Sequence, residues 1–245
     1  MSKTDYQKIN TLFMRDENNL IMPNTMTCQE FEYLKDMKWE CTEKIDGTNI
    51  HCDVYFDGVN KMTITLCGRT DKANIPTHLL EKLQSIFTEE VITRTFATQL
   101  ASATIETPFQ CSIYGEGFGV KIQKGGNYMR NDVGFILFDV KVGKWWLNRE
   151  ACAEIANAIY VPIVPLIGYM TIPEAIAFVK RGFKYTIAEN PDYDAEGLVL
   201  KTPCGLLFRN GSRIITKLKT CDFKKYMAKY GEGPIEQKVN PNYNK

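Results

Sequence analysis

Apolar and polar residues alternate over several short segments of the chain, which is the pattern of β-strands with one buried face. Every second residue over 50–56 is apolar, and the alternation resumes over 62–66 after the dipeptide Asp57-Gly58. Because Asp-Gly favours tight turns, these segments predict a β-hairpin. A further alternating segment at 39–44 predicts a strand that ends in a glycine turn.

Other segments have the spacing and the end signals of helices. Five apolar residues between positions 79 and 87 recur at helical spacing and predict a helix over about residues 78–90. Asn148 is a candidate N-cap for a helix that runs through Ala158. Thr171 and Glu174 have the spacing of a capping box, which predicts the start of another helix.

The remaining strands complete a mixed pattern. Apolar runs predict buried strands over 111–114 and 135–140, and a glycine-rich basic loop over 115–126 lies between them. Residues 197–201, 206–209 and 213–219 return to strand character around the turn Asn210-Gly211. The chain is therefore predicted to have an α+β fold of antiparallel sheets flanked by helices.

Composition limits the classes of function. The 245 residues include 30 Lys and Arg against 29 Asp and Glu, a formal charge of +1, which excludes a polybasic nucleic-acid coat. With 44% hydrophobic residues the chain can form a sizeable core, so disordered and fibrous classes are excluded as well.

The cysteines and the apolar segments indicate a cytoplasmic protein. None of the eight cysteines lies two or three positions from another, which argues against a zinc ribbon or a CxxC redox pair. Cys52 and Cys111 stand in apolar stretches and are expected to be buried free thiols, as in a reducing compartment. No secretory signal follows Met1, and the most apolar stretch, 158–170, is too short to span a bilayer. No membrane association is expected.

Candidate chemistry begins with Lys44, which stands in the sequence Glu-Lys-Ile-Asp-Gly-Thr-Asn at 43–49. On its own, a lysine before a glycine turn is most simply a surface residue. Further along, Glu116 lies in a glycine-rich segment, and Glu196 precedes a predicted strand. Lys217 and Lys219 share one face of another strand, because alternate strand residues point the same way.

In this order the motifs resemble those of the covalent nucleotidyltransferase superfamily, which comprises polynucleotide ligases and mRNA-capping enzymes. The branch most similar is the RNA ligase 2-like family of phage double-strand RNA ligases and RNA-editing ligases, marked by Gly-Thr-Asn at 47–49 and Gly-Arg-Thr at 68–70. The resemblance spans about residues 38–225. Further matches lie at 115–116, 122–124, 138–139, 195–197, 209–211 and 217–219. Asp46 departs from the closest relatives, which often have histidine there.

The resemblance implies a reaction and a set of residues. Lys44 would attack the α-phosphorus of ATP to form lysyl-AMP, with Lys217 and Lys219 as further catalytic residues that balance the phosphate charge. Glu196 would also hold Mg²⁺ or Mn²⁺. Nucleotide binding is assigned to Glu43, Ile45, Asn49, Arg69, Glu116, Phe138, Glu196 and Lys201. Among these, Glu43 would contact adenine, Phe138 would stack on it, and Glu116 would bind the ribose hydroxyls.

Several of the assigned residues also have an ordinary structural interpretation. Lys217 and Lys219 could be solvated side chains of an amphipathic edge strand. Phe138 could be a core aromatic, and Glu116 and Glu196 solvated acids of a loop and a hairpin. The number and order of the motifs favour the functional interpretation.

RNA contacts are expected in the glycine-rich basic loop. Lys121, Gln123, Lys124 and Arg130 are the candidate RNA-binding residues, and the ring of Tyr128 could pack on a sugar or base.

The resemblance implies an ATP-dependent RNA ligase of RNA repair that joins 5′-phosphate and 3′-hydroxyl ends, with a nicked duplex as the expected substrate. The alternatives are a minimal DNA-nick ligase, an RNA-end-binding module that does not seal, and, more weakly, a capping guanylyltransferase. Residues 1–225 are predicted to be one nucleotidyltransferase domain and 226–245 a short tail with no OB domain. A partner protein could then supply the surface that larger relatives carry in an accessory domain. Compact ligases of this kind are often phage-encoded.

Overall fold

The computed structural model describes residues 6–69, 74–123 and 128–231. They form two compact units. We name the first the Glu116 unit, which comprises Asp46–Val164 together with Tyr6 and Ile187–Asn190. The second, the Lys44 unit, comprises Gln7–Ile45, Pro165–Thr186 and residues 191–231.

The Glu116 unit is built on a five-stranded antiparallel sheet in the order β6-β5-β7-β8-β9. Its elements are β5 (Thr48–Phe56), β6 (Met62–Gly68), α2 (Thr77–Ile86), α3 (Glu89–Thr95), α4 (Ala97–Ala101), β7 (Phe109–Gly119), β8 (Val133–Val142), β9 (Trp145–Trp146) and α5 (Arg149–Ala158). Apolar residues at alternate positions of β5, among them Ile50 and Cys52, form one core with residues of these helices. The other face of the sheet carries the polar positions of the same strands.

The Lys44 unit contains a second five-stranded sheet, in the order β1-β12-β11-β4-β10, and a two-stranded sheet of β2 and β3. Its elements are β1 (Asn10–Thr11), β2 (Phe13–Arg15), β3 (Ile21–Met26), α1 (Gln29–Tyr33), β4 (Trp39–Glu43), β10 (Leu166–Met170), α6 (Ile172–Arg181), β11 (Gly197–Lys201), β12 (Ile215–Lys219) and α7 (Thr220–Tyr230). One face of the larger sheet packs on α6 and α7 around a separate core that includes Trp39, Leu198 and Leu218.

The α+β prediction is confirmed, and so are the β5–β6 hairpin and the capped starts of α5 and α6. Several details differ, and the short elements β1 to β3, α1, α4, β9 and β10 were not among the predicted ones. Strand β7 continues to Gly119 because it pairs with β5 and β8 along that length, so the predicted loop begins later. The helix predicted over 78–90 is two helices, since Thr88 caps a new one. Residues 206–209 form only the single bridge Leu207–Arg213, and α7 was not predicted.

The cysteines behave as expected. Cys52 and Cys111 are buried, and no disulfide joins any two of the eight cysteines, all of which lie in the described ranges. Across the described ranges, none of the helices has the length and apolar character needed to cross a bilayer. The cytoplasmic location, the phage relationship and the division into 1–225 and 226–245 stay predictions. Residues 232–245 lie outside the described part of the chain.

Candidate active site

Lys44, Glu196 and Lys219 form a cluster of charged side chains in the Lys44 unit. Lys44 Nζ donates to Glu196 Oε2 at 2.6 Å, and Lys219 Nζ lies 2.7 Å from Glu196 Oε1. The carboxylate is only 14% exposed, so both ion pairs are partly shielded from water. Lys44 Nζ also lies 3.4 Å from the carbonyl oxygen of Ile45, whose side chain is buried.

Strand pairing brings these three residues together from distant parts of the sequence. β4 and β12 both pair antiparallel with β11, and Lys219 lies opposite Gly197. The Lys44 amide extends the pairing by donating to the Gly197 carbonyl at 2.8 Å. Gly197 has φ +151°, and a Cβ there would lie 1.9 Å from the Leu218 carbonyl oxygen. Only glycine therefore lets β11 pass close to β12 at the point where Glu196 meets both lysines.

The electrostatics of the cluster suit a phosphate. Burial acts to lower the pKa of Lys219, but its hydrogen bond to Glu196 and the charge of that carboxylate outweigh this effect and raise the pKa. Lys219 is thus held as an ammonium group. Two ammonium groups share one carboxylate, which leaves an excess of positive charge.

Lys217 and Lys201 extend the same face of the sheet. Lys217 pairs with Val199 and Lys201 with Ile215, so the register places both side chains on the face of Lys219. The alternate residues of β12, Thr216 and Leu218, are buried. The interpretation of β12 as an edge strand is wrong, because it lies between β1 and β11.

Glu43 lies in a different environment from Lys44. It pairs with Leu198 on the core face of the sheet and is 1% exposed. The backbone amide of Thr186 donates to Glu43 Oε2 at 3.1 Å, and the Thr186 hydroxyl donates to the same oxygen. Burial raises the pKa of Glu43, although the Thr186 hydrogen bonds act to lower it. Oε1 is buried without a hydrogen-bond partner among the described residues. Sequence reasoning missed Thr186, since no motif marks it.

Asn49 and Glu116 are neighbours on the polar face of the sheet in the Glu116 unit. They are directly paired between β5 and β7. Ile50 pairs with Gly68, so continuing this register by one residue places the exposed Arg69 beside Asn49. The side-chain oxygen of Asn49 is buried and accepts no hydrogen bond within the described ranges. Thr70 lies outside them.

Position 47 must be glycine because a neighbouring strand lies too close for a larger side chain. A Cβ at this position would lie 2.2 Å from the Gly117 carbonyl oxygen and 2.8 Å from Glu116 Cγ. The glycine of the Lys-x-Asp-Gly motif therefore lets the chain pass against β7 next to Glu116.

Phe138 stands at an irregularity of β8. Tyr114 pairs with Asp139 and the next residue, Gly115, with Leu137, so Phe138 is the extra residue of a β-bulge. Its ring lies edge-on to Tyr6 at 5.0 Å, and the Tyr6 hydroxyl donates to Asp139. Phe138 is half-buried on a sheet surface, so the interpretation as a core aromatic does not hold.

The candidate RNA-binding residues differ in their exposure to solvent. Lys121, Gln123 and Arg130 are exposed, and the first two have positive φ in a tight turn after β7. Lys124 lies outside the described residues. The expectation for Tyr128 is wrong: its side chain is 1% exposed, packs on Phe118 at 5.5 Å and accepts a hydrogen bond from the Asp46 amide.

Comparison with known proteins identifies the family of the chain and solved structures with a similar fold. The model of the RNA ligase family matches residues 37–219. A Naegleria gruberi RNA ligase solved with PPi is 20% identical with a TM-score of 0.57, over 95% of this chain and 59% of that one. A variant of that ligase with AMP and Mn is 20% identical with a TM-score of 0.58, over 92% of this chain and 58% of that one. A variant with ATP and Mn is 18% identical with a TM-score of 0.55, over 80% of this chain and 53% of that one. No curated protein sequence matches. The chain spans a little over half the length of the solved ligases that it resembles.

Proposed function

The chain belongs to the RNA ligase family, and from this premise we propose that it is an ATP-dependent RNA ligase with Lys44 as its nucleophile. The observation that carries the proposal is the cluster of Lys44, Glu196 and Lys219. A lysine held at 2.6 Å from a carboxylate, beside a second ammonium group, is suited to attack a bound phosphate.

The first step joins Lys44 to AMP. The neutral Nζ attacks the α-phosphorus of ATP, a P–N bond forms, and the P–O bond to pyrophosphate breaks. The ammonium proton of Lys44 passes to solvent before the attack, and the proton that Nζ loses as the P–N bond forms passes to solvent as well. Glu196 orients Nζ through its hydrogen bond, and Lys219 remains charged to balance the charge on the α-phosphate. Lys217, on the same face, adds a second positive charge.

Glu196 also fits a divalent cation. Its carboxylate offers oxygen ligands of the type that Mg²⁺ and Mn²⁺ prefer. When bound, such a cation would supply positive charge that stabilises the phosphate oxygens of ATP. In the described structure the same carboxylate oxygens hold the two lysines.

Glu43 is the candidate for base selection. Its Oε2 is fixed by Thr186, while the buried Oε1 has an unused acceptor position within the described part of the chain. The exocyclic amine of adenine is a donor that fits this position, whereas guanine has a carbonyl there. We assign ribose and base contacts to Glu116, Arg69 and Phe138, and a role in positioning Lys44 or a phosphate to Asn49.

The later steps complete the ligase reaction. AMP is transferred from Lys44 to the 5′-phosphate of an RNA, and the 3′-hydroxyl of a second RNA end displaces it to seal the strand. A nicked duplex is the proposed substrate, with phosphate contacts from Lys121, Gln123, Lys124 and Arg130. We also propose that a partner protein supplies additional RNA-binding surface.

The test is covalent labelling with ATP or GTP carrying a labelled α-phosphate, followed by denaturation. We expect label from ATP to stay on the chain through an acid-labile, alkali-stable bond, and Lys44→Ala to abolish it. Lys61→Ala, at an exposed turn, is the matched control and should label normally. Equal labelling of Lys44→Ala would exclude Lys44 as nucleophile, and labelling by GTP as strong as by ATP would indicate capping chemistry.

A further inference from the structure

Three side chains with metal-ligating atoms meet on the polar face of the β5–β6 hairpin. A ring nitrogen of His51, a carboxylate oxygen of Asp53 and Sγ of Cys67 all lie within 4.8 Å of one another. The register explains the grouping. His51 pairs directly with Cys67, and Asp53 is two residues further along β5 on the same face.

His51 is the most constrained of the three. Its side chain is 2% exposed and its ring lies 5.6 Å from that of Tyr114. Nε2 is 3.5 Å from Asp53 Oδ2, at the long limit of a hydrogen bond, and Nδ1 is buried with no partner among the described residues. A buried imidazole that makes no close hydrogen bond is poorly explained by a purely structural role.

Asp53 is held in place from the other side. Ser112 of β7 pairs directly with Asp53 of β5, and its hydroxyl donates a hydrogen bond to Asp53 Oδ1 at 2.6 Å. A hydrogen bond to the second oxygen of a carboxylate is the support that metal-binding carboxylates usually have. The ligand atoms therefore sit on a rigid sheet with a positioning residue behind one of them.

We propose that His51, Asp53 and Cys67 form a zinc site. A thiolate, an imidazole and a carboxylate are the ligand types of Zn²⁺, with water as the fourth ligand, whereas Mg²⁺ prefers oxygen ligands alone. Ligands at 2.0–2.3 Å around a tetrahedral Zn²⁺ are roughly 3.3–3.8 Å apart. The three ligand atoms must therefore move closer to one another by about 1 Å, and rotation of the side chains allows this movement. On binding, the Cys67 thiol releases its proton to the buffer.

The site is independent of the proposed ligase reaction. None of its residues is assigned to ATP or RNA, and the cation proposed to act with Glu196 is the harder Mg²⁺ or Mn²⁺. The spacing of cysteines along the sequence cannot reveal the site, because the ligands come from two strands and include a single cysteine.

The first test adds Co²⁺ alone to the reduced, metal-free chain and records its absorption. We expect the near-ultraviolet charge-transfer band of cobalt bound to a thiolate. Cys67→Ser should lose this band, and Cys204→Ser, which changes an exposed cysteine, should keep it. No band in the parent chain, a band retained in Cys67→Ser, or its loss in Cys204→Ser would overturn the proposal.

The second test measures Zn²⁺ affinity by competition with a chromophoric chelator. Because even outer-shell partners change metal affinity about 10–100-fold, Asp53→Asn should weaken binding by more than about tenfold. Excess Mg²⁺ should leave the affinity unchanged. Equal affinity in Asp53→Asn, or displacement of zinc by Mg²⁺, would contradict the site.

A third measurement needs no variant and remains decisive if a substitution prevents folding. Zinc should protect Cys67 from alkylation in the parent chain while Cys204 stays reactive, as read by mass spectrometry. Equal alkylation of Cys67 with and without zinc would overturn the proposal. A failure of ATP labelling would leave all three results unaffected.

Discussion

Glu196 accepts hydrogen bonds from two lysines, so the charge of each lysine influences the position of the other. In the proposed reaction Lys44 loses its positive charge as it forms the phosphoramidate, and Lys219 is then the ammonium group that stays beside Glu196. At this scale, the roles of the two lysines can be separated by substitution.

Lys219→Ala is expected to lower the rate of ATP labelling by about 100-fold or more, the magnitude found when a group that stabilises a developing charge is removed. Lys217→Ala should act in the same direction, because the side chain lies on the same strand face. The thermal unfolding temperature should change little, since both lysines are partly exposed. Full labelling activity in either variant would make that lysine a solvated strand residue.

Glu43 gives a second residue-scale prediction. A hydrogen bond to a charged acceptor contributes about 1.5–3 kcal/mol, so Glu43→Ala should reduce the preference for ATP over GTP by roughly tenfold or more. Thr186→Val removes the hydroxyl donor but keeps the backbone donor, and should have a smaller effect in the same direction. The measurement is labelling rate against concentration for both nucleotides. An unchanged ratio in Glu43→Ala would remove Glu43 from base selection.

At the scale of the element, the approach of β11 to β12 depends on Gly197. In Gly197→Ala the new methyl would meet the Leu218 carbonyl at 1.9 Å in a backbone conformation that L-residues rarely adopt. The strain of such a conformation alone is about 1–3 kcal/mol, and the strands must also move apart. We expect lower unfolding free energy in denaturant and loss of ATP labelling.

Gly205→Ala is the matched control for this strand effect. Gly205 also has positive φ, +65°, but no atom of the described residues lies within 4 Å of an added Cβ. Only the conformational cost of about 1–2 kcal/mol should appear, with normal labelling. Equal losses of activity in the two variants would show that the close approach at Gly197 does not position the site.

At the scale of the whole molecule, substrate choice distinguishes the possible functions. The Gly-Thr-Asn motif at 47–49 predicts that ribose is preferred on the 3′-hydroxyl side of a nick, where the 2′-hydroxyl offers both a donor and an acceptor. The comparison uses one nicked duplex with RNA or DNA on that side and a phosphate or pre-adenylylated 5′ end. RNA on the 3′ side should seal faster.

Lys44→Ala supplies the control for this experiment. It should fail on the 5′-phosphate nick and still seal the pre-adenylylated one, because AMP is already in place. Equal sealing of an all-DNA nick would favour a DNA ligase. No sealing of any adenylylated substrate would favour an RNA-end-binding module.

Much of the secondary structure follows from local pattern. The hairpin of β5 and β6 and the capped helix α6 depend on residues close in sequence, so alternation and capping signals were sufficient. Phe138 shows the limit. It was identified by its motif, but its place in a bulge depends on how β8 pairs with β7. The mistaken expectation for Tyr128 has the same cause, because only packing against Phe118 buries its ring.

The sequence alone determined the α+β class, the family resemblance and the identity of the candidate nucleophile, since these depend on residue types in a fixed order. The tertiary structure decided which of these residues meet. Glu196 lies 152 positions from Lys44, and only the pairing of β11 with β4 and β12 brings it to both lysines. It also placed Thr186 on Glu43 and Cys67 beside His51. The contacts of Glu196 with Lys44 and of Thr186 with Glu43 join segments that are far apart along the chain, so they depend on long-range pairing and packing that no local pattern reveals.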